Sequence, residues 1–286
     1  MVSKTNASSR GSGLEGPRHP LHILSWVLFP LFASVYFAVF LPTIKDEKYG
    51  AKWTLGVTYA ALCIDSLYHA YKATATNPKD DHSGSAEASA DEGIAPFNEF
   101  VFCHICQQYV KSTSKHCRLC NKCVAGFDHH CHWLNNCVGE KNYNYFFTAL
   151  CSVTGLVLLQ LGVCTWCLVE LTSRDAHKKG PNQQLPRFTF TAIFIVLLVG
   201  VLGLLVHLLC FHLMLIKRQT TTYDYLVKKA REKRERKHEE MNRKIELKNT
   251  RRKSAEEKKK KTKGAAVKQD SSSSHVRLGD LELAQV

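Results

Sequence analysis

The 286-residue sequence predicts an α-helical polytopic membrane protein, with four transmembrane helices and a small cytosolic cysteine-rich module between helices 2 and 3. Three observations support this fold class. The apolar residues are gathered in four long blocks, seven of the twelve cysteines lie between the second and third blocks, and residues 217–286 are strongly basic. A soluble globular domain would instead spread its apolar residues at helical or strand periods.

Each apolar block is long enough to cross a bilayer as a helix. The first, residues 21–41, contains no Asp, Glu, Lys or Arg, and at about 1.5 Å per residue it reaches roughly 31 Å, the thickness of the hydrocarbon core. The others are residues 53–71, 146–171 and 188–216. Buried helices of a soluble protein are the weaker alternative, because such helices seldom stay apolar around their whole circumference over this length. The polar residues 1–20 favour a retained anchor over a cleaved signal peptide.

The charge beside the blocks predicts their orientation. Residues 217–286 carry 22 Lys and Arg against 11 Asp and Glu, and segments rich in Lys and Arg remain cytosolic. With four crossings, both termini are cytosolic and only residues 42–52 and 172–187 face the opposite side. The second of these loops is itself mildly basic, although the tail outweighs it. An endomembrane, such as the ER or Golgi, and the plasma membrane both remain open.

The same patterns predict the domain organisation. We expect a cytosolic N-terminus (1–20), helices 1 and 2 (21–71), a linker (72–96), the cysteine-rich module (97–145), helices 3 and 4 (146–216) and a basic tail (217–286). The small polar residues 82–92 indicate flexibility. The tail is expected to be a solvated helix or a disordered segment, or a basic arm attracted to anionic lipid. Nucleic-acid binding ranks last, since no motif accompanies the charge. No internal repeat is expected.

The cysteine-rich module has the spacing of zinc knuckles. It reads Cys103-x2-Cys106, His116-Cys117-x2-Cys120-x2-Cys123, Asp128-His129-His130-Cys131 and Cys137. Such a cluster in a reducing compartment indicates metal binding or catalysis in place of disulfides. A CxxC pair and a second ligand pair close one tetrahedral Zn(II) site. Two sites need eight ligands, and the cysteines and histidines exceed eight, so at least one is free. Spacing leaves open whether it is Cys123, Cys131 or Cys137.

The motif from Asp128 to Cys131, followed by His132-Trp133-Leu134-Asn135-Asn136-Cys137-Val138-Gly139, Asn142 and Phe146, resembles the DHHC protein S-acyltransferases (palmitoyltransferases). The four-span layout is similar to theirs as well. The resemblance implies that Cys131 is the free thiol and the nucleophile. It also implies two structural Zn(II) ions, bound by two sets of ligands: Cys103, Cys106, His116 and Cys123, and Cys117, Cys120, His130 and Cys137.

The implied reaction is protein S-palmitoylation. Palmitoyl-CoA or another long-chain acyl-CoA would acylate Cys131, and cysteines of cytosolic or membrane protein substrates would then take the acyl group at the cytosolic face. The acyl chain is expected in a cavity among the transmembrane helices, where each buried methylene contributes about 0.8 kcal/mol. A non-catalytic zinc-binding membrane adaptor is the competing function.

A cysteine with an ordinary pKa of about 8.5 is only a few per cent thiolate at neutral pH, so a base nearby is useful. His129 is the candidate base, and Asp128 would hold its tautomer and stabilise the imidazolium. Without the resemblance, an equally good interpretation is that Asp128 and His129 orient the zinc ligand His130.

Some residues depart from the family pattern or stay unassigned. Asn77-Pro78-Lys79 stands where the family usually has Asp-Pro-Gly, and Thr221-Thr222-Tyr223-Asp224 where it has Thr-Thr-x-Glu. These changes put the efficiency of the reaction in doubt more than its class. Asp65 and His69 lie four residues apart in the second block, and a mutual hydrogen bond or packing is as good an interpretation as a catalytic role. Cys164 and Cys167 are expected to pack, and His207 and His212 have no assigned role.

Overall fold

A computed structural model describes residues 9–44, 49–81, 100–172 and 181–282. Its long helices are α1 (Pro20–Val35), α2 (Tyr49–Ala75), α3 (Tyr143–Thr172), α4 (Pro181–Lys217) and α5 (Thr222–Glu282). A π-helical turn (Tyr36–Phe40) and a 3-10 turn (Leu41–Thr43) extend α1. The flexible segment predicted at residues 82–92 lies outside the described residues.

Three helical segments in the described part of the chain are long and apolar enough to cross a membrane: Pro20–Thr43, Tyr143–Thr172 and Leu185–Lys217. They coincide with the first, third and fourth predicted spans. Helix α2 covers the second predicted span, but it is less apolar because it includes Lys52, Asp65 and Lys72. The count of four spans therefore stays a prediction.

The helices pack in the order α2, α3, α4, and the turns that follow α1 pack against α2 and α3. The rings of Tyr36 and Tyr59 stack there with centroids 3.7 Å apart. Buried polar groups in this core are satisfied, since the Tyr59 hydroxyl donates to Gln160 Oε1 at 3.1 Å and Gln160 Nε2 donates to the Phe32 carbonyl at 3.0 Å. Cys164 is also buried in this cluster.

Among the described residues between α2 and α3, six short strands form three antiparallel hairpins. The hairpins are β1 (Phe100–Cys103) with β2 (Gln108–Lys111), β3 (Lys115–Cys117) with β4 (Lys122–Val124), and β5 (His129–Cys131) with β6 (Asn136–Val138). In each hairpin the last residue of the first strand is a cysteine, and it pairs with the residue five places later.

The three hairpins are an internal repeat. Their first cysteines, Cys103, Cys117 and Cys131, are spaced 14 residues apart. Four residues after each cysteine, the turn contains a residue in the left-handed region: Gln107 (φ 55°), Asn121 (φ 49°) and Asn135 (φ 53°). The expectation of no internal repeat is wrong. The repeat extends to the second strand of each hairpin, where Val110, Val124 and Val138 lie seven residues after these cysteines.

Side-chain amides join the hairpins to the end of α2. Asn136 Nδ2 donates to the carbonyls of Ala73 at 3.1 Å, Thr74 at 3.0 Å and Thr76 at 2.8 Å. Asn142 Nδ2 also donates to the Ala73 carbonyl, at 3.0 Å. The last carbonyls of a helix have no partner within the helix, so these amides both cap α2 and anchor the hairpins against it.

The chain divides into two compact units, Met1–Tyr225 and Leu226–Val286. The first contains the hairpins and the apolar helices. The second is formed by the rest of α5, in which every side chain from residue 226 to residue 256 is exposed. A helix this polar on all sides has no apolar face to bury, so nothing in its own composition makes it pack as part of a core.

Candidate active site and metal centres

Two Cys/His groups are assembled by the hairpins. One contains Cys103, Cys106, His116 and Cys123, and the other contains Cys117, Cys120, His130 and Cys137. Within each group the ligand atoms all lie within 4.8 Å of one another. These are the two sets of four that the family resemblance implies.

The distances inside each group fit a tetrahedral Zn(II) site. With Zn–S bonds of about 2.3 Å, two thiolates on one tetrahedral ion are roughly 3.8 Å apart. The Sγ atoms of Cys106 and Cys123 are 3.7 Å apart, and those of Cys120 and Cys137 are 3.4 Å apart. His130 Nδ1 lies 3.5 Å from Cys137 Sγ. The donor set, three thiols and one imidazole, is typical of a structural zinc site without an open position.

Strand geometry explains why adjacent residues serve different groups. His116 and Cys117 are neighbours in β3, so their side chains point to opposite faces of the hairpin. His116 reaches the first group, while Cys117 reaches the second. The two groups are thereby interleaved, and neither can form without the β3–β4 hairpin.

Residues 9–19, which we call the N-terminal strap, lie against the second group. Arg10 Nη2 donates to Cys120 Sγ at 3.1 Å, and the Arg10 backbone N–H donates to the Cys120 carbonyl at 3.0 Å. Asn135 Nδ2 donates to the Gly13 carbonyl at 2.9 Å. A guanidinium beside a site of three thiolates offsets its negative charge. Sequence reasoning missed this contact, because no local pattern in the strap indicates it.

Cys131 belongs to neither group. It lies in the third hairpin, at the place that Cys103 and Cys117 occupy in the first two. Those two hairpins have a second cysteine three residues later, whereas the third has Leu134. The third hairpin is thus a zinc knuckle with one thiol replaced by an apolar side chain, and its remaining thiol is left without a metal group.

The knuckle turn still presents its amides to the Cys131 sulfur. Backbone N–H groups of Trp133 and Leu134 donate to Cys131, as those of Ile105 and Cys106 donate to Cys103. In zinc knuckles such bonds stabilise a metal-bound thiolate. Here they are available to a thiolate that carries no metal.

Asp128, His129 and Cys131 form a hydrogen-bonded series. His129 Nδ1 lies 2.7 Å from Asp128 Oδ2, and the side chain of His129 also hydrogen-bonds that of Cys131. Burial by itself would raise the pKa of the Cys131 thiol, but the hydrogen bond and positive charge of His129 outweigh burial and lower that pKa. Burial likewise opposes protonation of His129, yet its bonds to Asp128 and Cys131 raise the pKa of His129 to about 9.

The N-terminus of α5 holds the Asp128 carboxylate. Asp128 is 3% exposed, and the backbone N–H of Thr222 donates to Asp128 Oδ1 at 2.8 Å. Burial would raise the pKa of Asp128, but the bonds from His129 and Thr222 lower it. The free N–H groups and the dipole at a helix N-terminus favour a carboxylate there. Thr222 therefore acts on the site from outside the cysteine-rich module.

The two segments that depart from the family pattern keep hydrogen-bonding roles. Asn77 Oδ1 accepts from the buried Lys122 ammonium at 2.9 Å, so an amide oxygen provides an acceptor where the family has a carboxylate. Thr221 Oγ1 accepts from the Asp224 N–H at 3.1 Å and donates to Asp224 Oδ2 at 2.9 Å. This is a helix cap of the kind that Thr-x-x-Glu forms.

Cys131 faces apolar side chains of the helices. It clusters with Phe146 and Leu150 of α3, and Leu205 and Leu209 of α4 pack against the same cluster. An apolar pocket between α2 and α3 lies elsewhere, lined by Leu55, Leu158, Trp166 and their neighbours, and does not include Cys131. The location of the predicted acyl-chain cavity remains a prediction.

The other ionisable residues named from the sequence differ in their surroundings. His69 Nδ1 lies 3.2 Å from Asp65 Oδ1, and the Ser152 hydroxyl of α3 donates a hydrogen bond to the other Asp65 oxygen. His207 is exposed on α4, whereas His212 on the same helix is 1% exposed and hydrogen-bonded to Tyr143. His212 also lies beside Asp128 and His129. Sequence reasoning left His212 without a role, because its partners are distant in the chain.

Comparison with known proteins gives consistent matches. The family model described as DHHC palmitoyltransferase matches residues 96–229. The chain is 35% identical to mouse "Palmitoyltransferase ZDHHC1" over 251 residues, which are 77% of this chain and 51% of that protein. It is 32% identical to mouse "Palmitoyltransferase ZDHHC11", covering 77% of this chain and 71% of the relative. An Arabidopsis thaliana "Probable protein S-acyltransferase 22" is 40% identical over 151 residues, 50% of this chain and 24% of that protein. The chain thus spans about half the length of its ZDHHC1 relatives.

Proposed function

The chain belongs to the DHHC palmitoyltransferase family, and on that premise we propose that it is a protein S-palmitoyltransferase. It transfers a long-chain acyl group from acyl-CoA to Cys131, and then to cysteines of substrate proteins at the cytosolic membrane face. The observation that carries this proposal is the hydrogen-bonded series Asp128, His129 and Cys131, in which the thiol stands outside both Cys/His groups.

His129 is proposed to hold and move the proton in both half-reactions. The lowered pKa of Cys131 and the raised pKa of His129, about 9, both favour a thiolate beside an imidazolium. The thiolate attacks the thioester carbonyl and forms a new thioester, and the imidazolium protonates the departing CoA thiolate. The neutral imidazole then takes the proton of a substrate thiol, which attacks the acyl-enzyme and releases the Cys131 thiolate.

Two Zn(II) ions are proposed as structural cofactors. Cys103, Cys106, His116 and Cys123 would hold one, and Cys117, Cys120, His130 and Cys137 would hold the other. When bound, each ion cross-links two hairpins and takes no part in the reaction, because four protein ligands leave no open position. The hairpins then present Cys131 and His129 on a rigid support.

Four membrane spans are proposed, with both termini cytosolic. Gly13, which precedes α1, donates from its backbone N–H to the Thr74 carbonyl at the end of α2 at 2.8 Å. If α1 crosses the membrane, the chain must cross again before Thr74, and α2 supplies that return. At about 1.5 Å per residue, 27 residues are long enough. The domain boundaries predicted from the sequence remain proposals, as does residence in an endomembrane or the plasma membrane.

The partners are proposed as proteins with accessible cysteines near the cytosolic face, and the bilayer itself. The exposed basic residues of α5 would add attraction to anionic lipid. The competing function, a non-catalytic zinc-binding membrane adaptor, gains no support from the site. An adaptor has no need of an imidazole bonded to both a buried carboxylate and a free thiol.

Acyl-enzyme formation tests the proposed function. Detergent-purified protein is incubated with labelled palmitoyl-CoA, and the label on the chain is measured before and after hydroxylamine, which cleaves thioesters. We expect a hydroxylamine-sensitive label on the wild type and none on Cys131→Ser. Cys151→Ser, which changes an exposed cysteine of α3, is the matched control and should keep the label. An unlabelled wild type with its zinc bound would refute the enzyme and favour the adaptor.

Metal content tests the ligand assignment. We expect about two zinc ions per chain by atomic emission, with Cys120→Ser losing zinc, thermal stability and acylation together. Cys131→Ser should keep both ions, because Cys131 belongs to neither group. A value near one ion per chain in the wild type would contradict the assignment.

A further inference from the structure

His212 is a buried histidine that the proposed reaction does not use. It is 1% exposed and lies five residues before Lys217, the last residue of α4. A polar ring buried in an apolar helix is costly unless it finds polar partners. Its contacts therefore indicate what it does.

One partner is Tyr143, the first residue of α3. The Tyr143 hydroxyl lies 3.1 Å from His212 Nδ1, which fixes one ring nitrogen. This contact joins the start of α3 to the end of α4, so the imidazole is held between two helices that also contribute the apolar wall around Cys131.

The other partners are in the active site. A ring nitrogen of His212, a ring nitrogen of His129 and a carboxylate oxygen of Asp128 lie within 4.8 Å of one another. The ring centroids of His129 and His212 are 5.9 Å apart. Phe146 packs against both rings, with its ring centroid 5.3 Å from that of His129 and 5.0 Å from that of His212.

These contacts place two rings, those of Phe146 and His212, against the His129 imidazole. Its hydrogen bond to Asp128 fixes one nitrogen but leaves the ring able to swivel about that bond. Phe146 and His212 restrict the swivel. His212 also provides a polar neighbour to the buried Asp128 carboxylate, which an apolar side chain of the same size would not.

We propose that His212, braced by Tyr143, is a positioning residue that keeps the His129 imidazole aimed at Cys131. The inference rests on the proposed function, in which His129 moves the proton of the reacting thiol. His212 itself does not touch the substrate.

Single-turnover acylation is the first arm of the test. His212→Phe keeps the ring and removes its nitrogens, and Tyr143→Phe removes only the hydroxyl that braces it. We expect both to slow acyl-enzyme formation at saturating palmitoyl-CoA by roughly 10- to 100-fold, the cost of small misplacements in an active site, with KM unchanged. His207→Phe, the matched control on an exposed histidine of the same helix, should keep the wild-type rate. Zinc content and thermal midpoint, measured on each variant, should be unchanged.

A double-mutant cycle is the second arm, and its readout is alkylation of Cys131 by iodoacetamide, followed by mass spectrometry at neutral pH. His129→Gln should slow alkylation on the order of tenfold, because an ordinary thiol is only a few per cent thiolate. His212→Phe should slow it in the wild-type background and have no further effect in the His129→Gln background, since residues that act through one another are not additive.

The outcomes separate the inference from the proposed function. A wild type that forms no acyl-enzyme would refute the function, while the alkylation cycle would still report on His212. An equal loss from His212→Phe in both backgrounds, or no loss in either, would overturn the inference. So would an unchanged alkylation rate in His129→Gln, because His212 would then have no base to position.

Discussion

At the scale of residues, Cys131 lies between groups that favour its charge and groups that oppose it. His129 and the amides of Trp133 and Leu134 favour the thiolate, while burial against Phe146 opposes it. The balance lowers the pKa of Cys131. Because Asp128 is itself held by the N-terminus of α5, its carboxylate stays charged and sustains the imidazolium of His129.

The pH dependence of Cys131 reactivity tests this balance. The thiolate of the wild type should persist to lower pH than an ordinary thiol, and its rate of alkylation should fall only as pH drops through the lowered pKa of Cys131. In His129→Gln the fall should begin at a higher pH, because burial still raises the pKa of Cys131 and the imidazolium no longer lowers it. The two profiles should converge above about pH 9, where the imidazolium of His129 loses its proton.

The matched control for these profiles is His132→Gln, which changes the exposed histidine next to Cys131. Its profile should follow that of the wild type. A shift as large as that of His129→Gln would mean that any histidine near the thiol has this effect, and would contradict the specific role of His129.

At the scale of elements, the three hairpins explain why one thiol among the seven of the cysteine-rich module belongs to no metal group and is the proposed nucleophile. All three share the pairing register and the left-handed residue in the turn. In the first two, both knuckle cysteines belong to a metal group. In the third, Leu134 takes the second position and packs with the apolar cluster at the helices. The third hairpin thus keeps the geometry of a zinc knuckle, but with one thiol fewer it has a lower affinity for metal.

Leu134→Cys should therefore convert the nucleophile into a metal ligand. A restored CxxC pair supplies two thiolates to one ion, so we expect micromolar zinc to inhibit acylation of this variant and a chelator to reverse the inhibition. The wild type should respond to neither treatment. The measurement is acyl-enzyme formation against added zinc, with reductant present to prevent a disulfide.

Leu134→Ala is the control for this experiment, since it loses the same packing without adding a thiol. Inhibition by zinc at the same concentrations in Leu134→Ala, or none in Leu134→Cys, would contradict the interpretation of the third hairpin as a knuckle short of one ligand.

At the scale of the whole molecule, the first unit brings distant segments of the chain to one end of the apolar helices. The N-terminal strap, the end of α2, the hairpins and the start of α5 are all hydrogen-bonded there. Apolar helices separate this end from residues 42–44, at the far end of α1. In a membrane, such an arrangement would place Cys131 at the aqueous interface and would let the acyl chain of the proposed reaction extend into lipid-like surroundings.

Protease protection tests the proposed topology. In sealed microsomes, epitope tags fused to either terminus should be digested without detergent, because both termini are proposed to be cytosolic. A tag inserted between residues 176 and 177 should be protected until detergent is added, and it serves as the internal control for sealing. Protection of the N-terminal tag would mean that α2 does not cross, and would contradict the four-span proposal.

The sequence by itself determined the family of the protein and contained the motif on which the residues of the proposed reaction are predicted. Long apolar blocks and clustered cysteines are local signals, because a membrane span and a zinc knuckle are each formed by residues close together in the chain. The same locality made the Asp128-to-Cys131 motif recognisable. The departures at Asn77 and Asp224 were visible too, although their consequences were not.

Only the tertiary structure decided what surrounds that motif. Thr222 and Asp128 are 94 residues apart in sequence, and Arg10 and Cys120 are 110 apart. Contacts over such distances follow from how helices and hairpins pack, and they leave no periodic pattern in the sequence. For the same reason His212 had no role in the sequence, and it acquires one only where the end of α4 meets the imidazole of His129.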